Sequence, residues 1–261
     1  MTISNPISIV SFPVLSDFNQ VNFESISNLG LTNRVETKFV FPSDKTDQVL
    51  KTLTGNYKVV QRNNQLSFKY VTVYLDTDEF RFFNQHLRGE LSRNKVRYRN
   101  YEFTGDSFLE VKMKTNKGRT LKWRIPGSFS NSPFSEDAED FLKEYLPVES
   151  YLLKPVLISR FSRTTFVNFD MTERLTIDYN LSFESVKSGK IIDLPYLSIA
   201  EVKKEIVSYS SPFSATLRRM NIYPLGFSKY CMGSALLNDS LKLNLLKPKL
   251  IILNKIRNGF N

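Results

Sequence analysis

The sequence predicts an α+β protein built on one large antiparallel sheet. Three observations predict it. Short runs in which apolar and charged residues alternate recur from Arg34 to Val207. Turn residues such as Gly105-Asp106, Asn116-Lys117-Gly118 and Ser188-Gly189 separate them, and helical start signals are few beside the strands. A period of two is the mark of a strand with one buried face, and short turns between such runs join them as antiparallel hairpins.

Along the chain, residues 1 to 30 are rich in Ser and Asn without sustained periodicity and read as an irregular or partly ordered lead-in. Residues 31–261 follow as a single domain, since no repeat, low-complexity block or Gly/Ser linker divides them. The strands are RVETKFVF, FKYVTVYLD, NKVRYRNY, SFLEVKMK, RTLKWRI, LISRFSRTTFVNF, ERLTIDYNLSF and LSIAEVKKEIV. Helices are expected after Ser43, Thr77, Ser135 and Ser211-Pro212, where a capping residue, with Pro at N1 in the last case, precedes a helical pattern. From Leu241 apolar and basic residues mix around Pro248. A helix packed on the domain is the expectation there, with a membrane-surface or partner contact as the alternative.

The chain has 261 residues, enough for a sizeable core, and 41% hydrophobic with 24% charged residues is ordinary globular composition. Lys+Arg 36 against Asp+Glu 26 leaves +10, which calls for an acidic partner: a phosphate-rich ligand, nucleic acid or an anionic membrane surface. One cysteine, Cys231, excludes an intramolecular disulfide and a Cys-based zinc site. One histidine, His86, leaves Ser-His-Asp, Cys-His and poly-His zinc chemistry with a single imidazole between them, so any metal should be oxygen-ligated Mg²⁺ or Mn²⁺. His86 reads as a surface or packing residue, Cys231 as a small buried hydrophobe and Trp123 as core against an outer helix. The opening MTISNPISIVSFPVL lacks the basic start of a secretory signal, and no apolar run approaches ~20 residues, so a cytoplasmic protein without a membrane span is expected.

Sorting each strand into its two faces gives a consistent result. Arg34, Glu36 and Lys38 share one face; so do Lys95, Arg97 and Arg99; Glu110, Lys112 and Lys114; Lys122 and Arg124; Arg174, Thr176 and Asp178; and Glu201, Lys203 and Glu205. The ordinary explanation is a sheet with its charged face in water. Against it, cations recur two residues apart, where like charges at ~4 Å and a dielectric near 20 repel by roughly 4 kcal/mol. Such a face favours a polyanion, and carboxylates set singly among the cations, at Glu36, Glu110 and Glu201, suit a divalent cation beside bound phosphates.

These residues resemble a known family. RVETKF is similar to the first-strand signature of the VTC (vacuolar transporter chaperone) catalytic domain, a polyphosphate polymerase of the triphosphate tunnel metalloenzyme, or CYTH-like, superfamily. VYLDTDEFRFF, KVRYRNY, FLEVKMK, LKWRI, SRTTF, RLTIDYNLSF, AEVKKE and FSKYCMG resemble its further segments in order, from Arg34 to Gly233. The resemblance implies a closed antiparallel β-barrel tunnel with helices packed outside. Its inward side chains would bind ATP, triphosphate or polyphosphate. Lys38, Arg97, Arg99, Lys112, Arg124, Arg163, Arg174, Lys203 and Lys229 fall at the family's phosphate-binding and catalytic positions; Lys122 and Ser228 join them as phosphate contacts, and Glu201 matches the metal-binding glutamate. Glu36 and Glu110 are further metal candidates, each equally able to pair with a tunnel cation.

Two departures stand out. The hydrolytic branch carries Glu where Arg34 stands, which favours the polymerase-like branch, and Lys114 occupies a position where eukaryotic polymerases are expected to have His. The expected activity is transfer of the γ-phosphoryl group of ATP to a growing polyphosphate chain with Mn²⁺ or Mg²⁺. The alternatives are a metal-dependent triphosphatase and a non-catalytic sensor. A nucleic-acid partner is not expected, because the aromatic residues fall mostly on the face opposite the cations.

Overall fold

The structure is a computed structural model that describes residues 12–27, 34–129, 134–205 and 211–259. Its elements in chain order are β1 (Gln20–Asn22), α1 (Phe23–Ser27), β2 (Arg34–Pro42), α2 (Thr46–Lys51), β3 (Tyr57–Gln61), β4 (Ser67–Asp76), α3 (Arg81–Leu87), β5 (Arg93–Tyr101), β6 (Ser107–Lys114), β7 (Thr120–Pro126), α4 (Glu136–Tyr145), β8 (Lys154–Asn168), β9 (Glu173–Ser185), β10 (Ile191–Leu194), β11 (Leu197–Glu205), α5 (Pro212–Arg219), α6 (Lys229–Leu237) and α7 (Lys247–Arg257). Every alternating run forms a strand. The pattern at Ile206 and Val207, and the side chain of Arg34, lie outside what the structure describes.

The main strands join antiparallel in the order β2-β11-β9-β8-β4-β5-β6-β7. The sheet curls so far that its walls face each other. Lys38 Nζ on β2 donates to the Phe227 carbonyl at 3.4 Å, while Lys95 Nζ on β5 donates to Ser228 Oγ at 3.4 Å, so two adjacent residues span strands five places apart. One expectation needs correction. Among the described residues the ladder does not close: β2 and β7 remain edges, and the tunnel is held by curvature and by the helices packed on and inside it.

The outward faces carry two cores. On one wall Phe39, Phe41, Phe166, Leu175, Ile177 and Val202 pack against α2 and α5 through Val49, Leu50, Phe213 and Leu217. On the other, Val73, Val96, Leu109 and Val111 lie beneath Phe141 and Leu142 of α4, with Trp123 stacked on Tyr145 at 4.5 Å. Fully burying each such side chain contributes roughly 1.5–3 kcal/mol, so apolar packing outside the tunnel offsets the cost of an ionic face inside. Ser135 and Ser211 cap α4 and α5 through the amides of Ala138 and Ser214.

Other expectations shift for identifiable reasons. The helix expected after Thr77 begins at Arg81, because the Asp76 carboxylate takes the amides of Thr77, Phe82 and Phe83 at 2.8–2.9 Å and organises an intervening turn with Phe80 at φ 55°. Within the described part of the lead-in, residues 12–27, Phe12, Val14, Leu15 and Phe18 are buried, and β1 pairs in parallel with β3. Cys231 is buried, as expected.

Candidate active site in the tunnel

The registers place the inward side chains on shared levels. Arg97, Glu110 and Arg124 align across β5, β6 and β7; Lys95, Lys112 and Lys122 form the next level. On the facing wall Lys38, Glu201 and Thr176 align, with Glu36, Lys203 and Arg174 beside them. Arg163 pairs with Asp178 across β8 and β9.

Four inward carboxylates are each committed to cations. Glu110 accepts from Arg97 Nε at 2.7 Å and Nη2 at 2.6 Å and contacts Lys122 at 2.7 Å. Burial pushes Glu110 up, but Arg97, Arg99 and Lys122 outweigh it and hold its carboxyl at about 2. Asp178 accepts from Arg163 at 2.5 and 2.8 Å and pairs with Lys229; against burial, those two cations hold it at about 2. Glu201 is gripped by Lys38 at 3.1 Å and Lys203 at 2.6 Å, and Lys203 reaches Glu36 at 3.5 Å. Burial opposes ionisation of Glu201 as well, yet Lys38, Lys203 and Arg163 keep it well below the usual carboxylate range.

Several inward cations lack such a partner. Among the described residues, no carboxylate lies within ion-pairing distance of Lys95, Arg99, Lys112 or Arg124. Burial, then neighbouring positive charge, lowers Lys95 to about 7; burial is also the main cause of the fall of Lys112 to about 8. Arg99 is lowered in the same way, its Nε is buried without a partner, and its guanidinium lies over the Tyr70 ring at 5.9 Å. Lowered cations side by side mark an uncompensated positive field, which a bound anion would relieve. Lys95 was not among the residues marked by sequence motifs. The signal was present in its alternation with Arg97 and Arg99.

One end of the lumen is filled. After Asp178, the Asn180 bulge (φ 52°) keeps Leu181 and Phe183 facing inward. With Val40, Tyr70, Tyr74, Leu157, Phe161, Leu197 and Ile199 they enclose α6, whose Tyr230 and Met232, with Phe227 just before the helix, belong to the same buried cluster. Tyr230 OH donates to Asp76, and a Cβ on Gly233 would stand 2.8 Å from both Leu157 and Phe183. Ser228 caps this helix through the Cys231 amide at 3.3 Å, so α6 points its N-terminus at the cations, and Lys229 lies over Phe161 at 4.3 Å. The opposite strand ends, with Glu36, Arg124 and Glu205, are exposed. Aromatic side chains therefore occur on both faces, contrary to the sequence expectation. The inward Tyr70 and Phe161 are stacked on each other, and Arg163 or Lys229 covers them.

The tunnel strands and α6 coincide with a family match: the VTC domain model aligns with residues 33–238. The chain belongs to the VTC domain family. The match runs from β2 through α6 and leaves α7 outside. Among solved structures, the chain is similar to a proposed adenylate cyclase from Bacillus halodurans, with TM-score 0.49 and 16% identity over 75% of this chain and 94% of that one. It is also similar to a proposed adenylate cyclase from Vibrio parahaemolyticus, with TM-score 0.45 and 14% identity over 77% and 97%. A third is a proposed adenylyl cyclase from Hippeastrum described as having a dominant triphosphatase activity, with TM-score 0.45 and 12% identity over 81% and 98%. No curated protein matches the chain.

A divalent cation in this VTC domain would need oxygen ligands from its carboxylates. No group of three or more His, Cys, Asp or Glu gathers among the described residues. Glu201 and Glu36, however, converge on one ammonium, that of Lys203. Mg²⁺ commonly takes one or two carboxylates and completes its shell with substrate phosphates and water, so this pair fits that role. Glu110 stands on the other wall, with both oxygens engaged by Arg97 and Lys122.

Proposed function

We propose that this VTC domain is a polyphosphate polymerase, which transfers the γ-phosphoryl group of ATP to a terminal phosphate of a growing chain and releases ADP. The observation that carries this reading over hydrolysis is the commitment of Glu36, Glu110, Asp178 and Glu201 to cations. A water nucleophile benefits from a free general base, whereas the terminal oxygen of a phosphate chain is already anionic near neutral pH and needs none. The lone histidine is no substitute, since His86 lies on α3 outside the ionic strands, and burial holds its imidazole neutral.

In this reading Lys95, Arg99 and Lys112 bind the triphosphate, and Lys38, Arg163 and Lys229 face them from the other side. Arg124, Arg174 and Lys203 extend the cationic lining toward the exposed end, so donor and acceptor phosphates can be held in line while repulsion between them is offset. Ser228 orients the N-terminus of α6 and the Lys95 ammonium. Glu201, assisted by Glu36, would hold Mn²⁺ or Mg²⁺. That ion, when bound, would neutralise charge developing on the phosphoryl oxygens. ATP as donor accords with a cytoplasmic site of action.

Purified protein incubated with ATP and Mn²⁺ should yield ADP and phosphate chains that lengthen with time on a gel. Free phosphate stoichiometric with ADP and no chains would make it a triphosphatase. Tight binding of ATP and polyphosphate without turnover in Mn²⁺, Mg²⁺ or Co²⁺ would make it a sensor.

A further inference from the structure

We propose that α7 is a docking element for an anionic lipid surface. Helix α7 is fastened to the domain by Leu246 and Leu253, which are buried, and by Leu250 and Ile256, which pack partly against the same cluster. Leu246, Leu250 and Leu253 lie at helical spacing, so a single stripe holds the helix down. The opposite stripe is Leu245, Pro248, Ile252 and Lys255, with Ile251 alongside. Leu245 is 63% exposed and Ile251 57%, and no described element covers them.

Charge selects the partner. From Ser240 to Asn261 the sequence contains Lys242, Lys247, Lys249, Lys255 and Arg257 and no Asp or Glu. None of these cations makes an ion pair among the described residues. Lys249 leans toward Gly226, whose Cβ position is 3.6 Å from its Nζ, while Lys242, Lys247, Lys255 and Arg257 are exposed around the apolar stripe. A free polyanion would use the cations and leave the isoleucines in water. An anionic bilayer satisfies both, with the apolar stripe at the acyl boundary and the lysines among the headgroups. A second copy of this chain fits less well. Its acidic helix α4 exposes Glu136, Asp137, Glu139, Asp140 and Glu144 but has no exposed apolar side chain to meet Ile251 and Ile252. With 11 residues, α7 is too short to cross a bilayer and would lie in its interface.

The full chain should cosediment with phosphatidylcholine vesicles containing phosphatidylserine and not with phosphatidylcholine alone. Ile251→Ser combined with Ile252→Ser should lower that partitioning at least tenfold while leaving the melting temperature and the affinity for tripolyphosphate unchanged. Lys247→Glu with Lys255→Glu should do the same by the charge route. Saturating tripolyphosphate should not release the protein from vesicles. Release would mean that the tunnel mouth binds the headgroups, and it would overturn the proposal. So would vesicle binding that survives both double variants, absence of vesicle binding, or a wild-type oligomer that the isoleucine variant dissolves without any effect of lipid.

Discussion

Loading of the tunnel by a polyphosphate should be accompanied by proton uptake, and Lys95 should account for most of it. With Lys95 at about 7 and Lys112 at about 8, the free protein at pH 8 has about 0.9 of its Lys95 and about 0.5 of its Lys112 side chains neutral. A triphosphate placed against both favours their charged forms, so binding at pH 8 should draw in about 1.4 protons. At pH 6 both lysines are already charged, and uptake at them should fall to about 0.1. This count covers Lys95 and Lys112 alone; burial also lowers Lys229 to about 8 despite its contact with Asp178, and Asp178 stays beside it in both states. Any proton that the terminal phosphates of tripolyphosphate release on binding is common to the wild type and Lys95→Met, so the difference between the two isolates the share of Lys95. Titration calorimetry in buffers of different ionisation enthalpy reads the proton count as a slope. In Lys95→Met the count at pH 8 should drop to about 0.5, and affinity should become less steeply dependent on pH. Wild-type uptake near zero at pH 8, or an unchanged count in Lys95→Met, would refute the argument that these lysines form the anion site.

The same lysines set a stability trend: their folded values lie below the ordinary lysine value, so the unfolded chain holds more protons between about pH 7 and 10.5, and the ligand-free fold should gain stability as pH rises through that window. Urea melts at pH 7 and 9 should show the gain, smaller in Lys95→Met. Asp178 works in the other direction. Its lowered carboxyl contributes stability present above about pH 4 and lost as pH falls toward 2, and Asp178→Asn should cost about 3–5 kcal/mol by leaving Arg163 and Lys229 buried without a counter-charge, as measured by chemical denaturation. Arg97 and Arg99 should separate: Arg99→Met should weaken triphosphate binding by about 1.5–3 kcal/mol without lowering the apo melting temperature, whereas Arg97→Met should also destabilise the fold, because Glu110 would lose its closest partner. Glu201→Gln should abolish metal-dependent turnover with the fold retained by circular dichroism, and full activity in excess EDTA would exclude a role for the ion. Gly233→Val should lower stability by about 1–3 kcal/mol or more, since α6 has no room for a side chain against Leu157 and Phe183.

The strands were legible because each has one apolar and one ionic face, and a period of two survives any detail of packing. Helix α6 was not, because it is buried on nearly every side, and KYCMGSALL has no amphipathic rhythm to read. The short strands β1, β3 and β10 were missed for want of length. At the site, motif positions identified cations one at a time. Which of them are neutralised depends on cross-strand registers such as Arg97 with Glu110, and these appear only once the strands are paired. That is why Arg97 and Arg99, equivalent as text, differ in the fold, and why Lys95, placed on the ionic face by its alternation, stands out as a cation without a carboxylate only once the strands are paired.

Because α6 and its apolar surroundings stopper one end, the tunnel is a cul-de-sac. A polymer lengthening there cannot be threaded through like rope through a ring. On the proposed polymerase reading, each added phosphoryl group would have to push the older units back toward the exposed end, past the level at which fresh nucleotide would arrive. Outgoing chain and incoming ATP would then share one corridor, and a long product would act as its own obstruction. Removing the finished chain from the mouth, by a phosphatase or a polycation in solution, should therefore quicken turnover even when ATP is saturating.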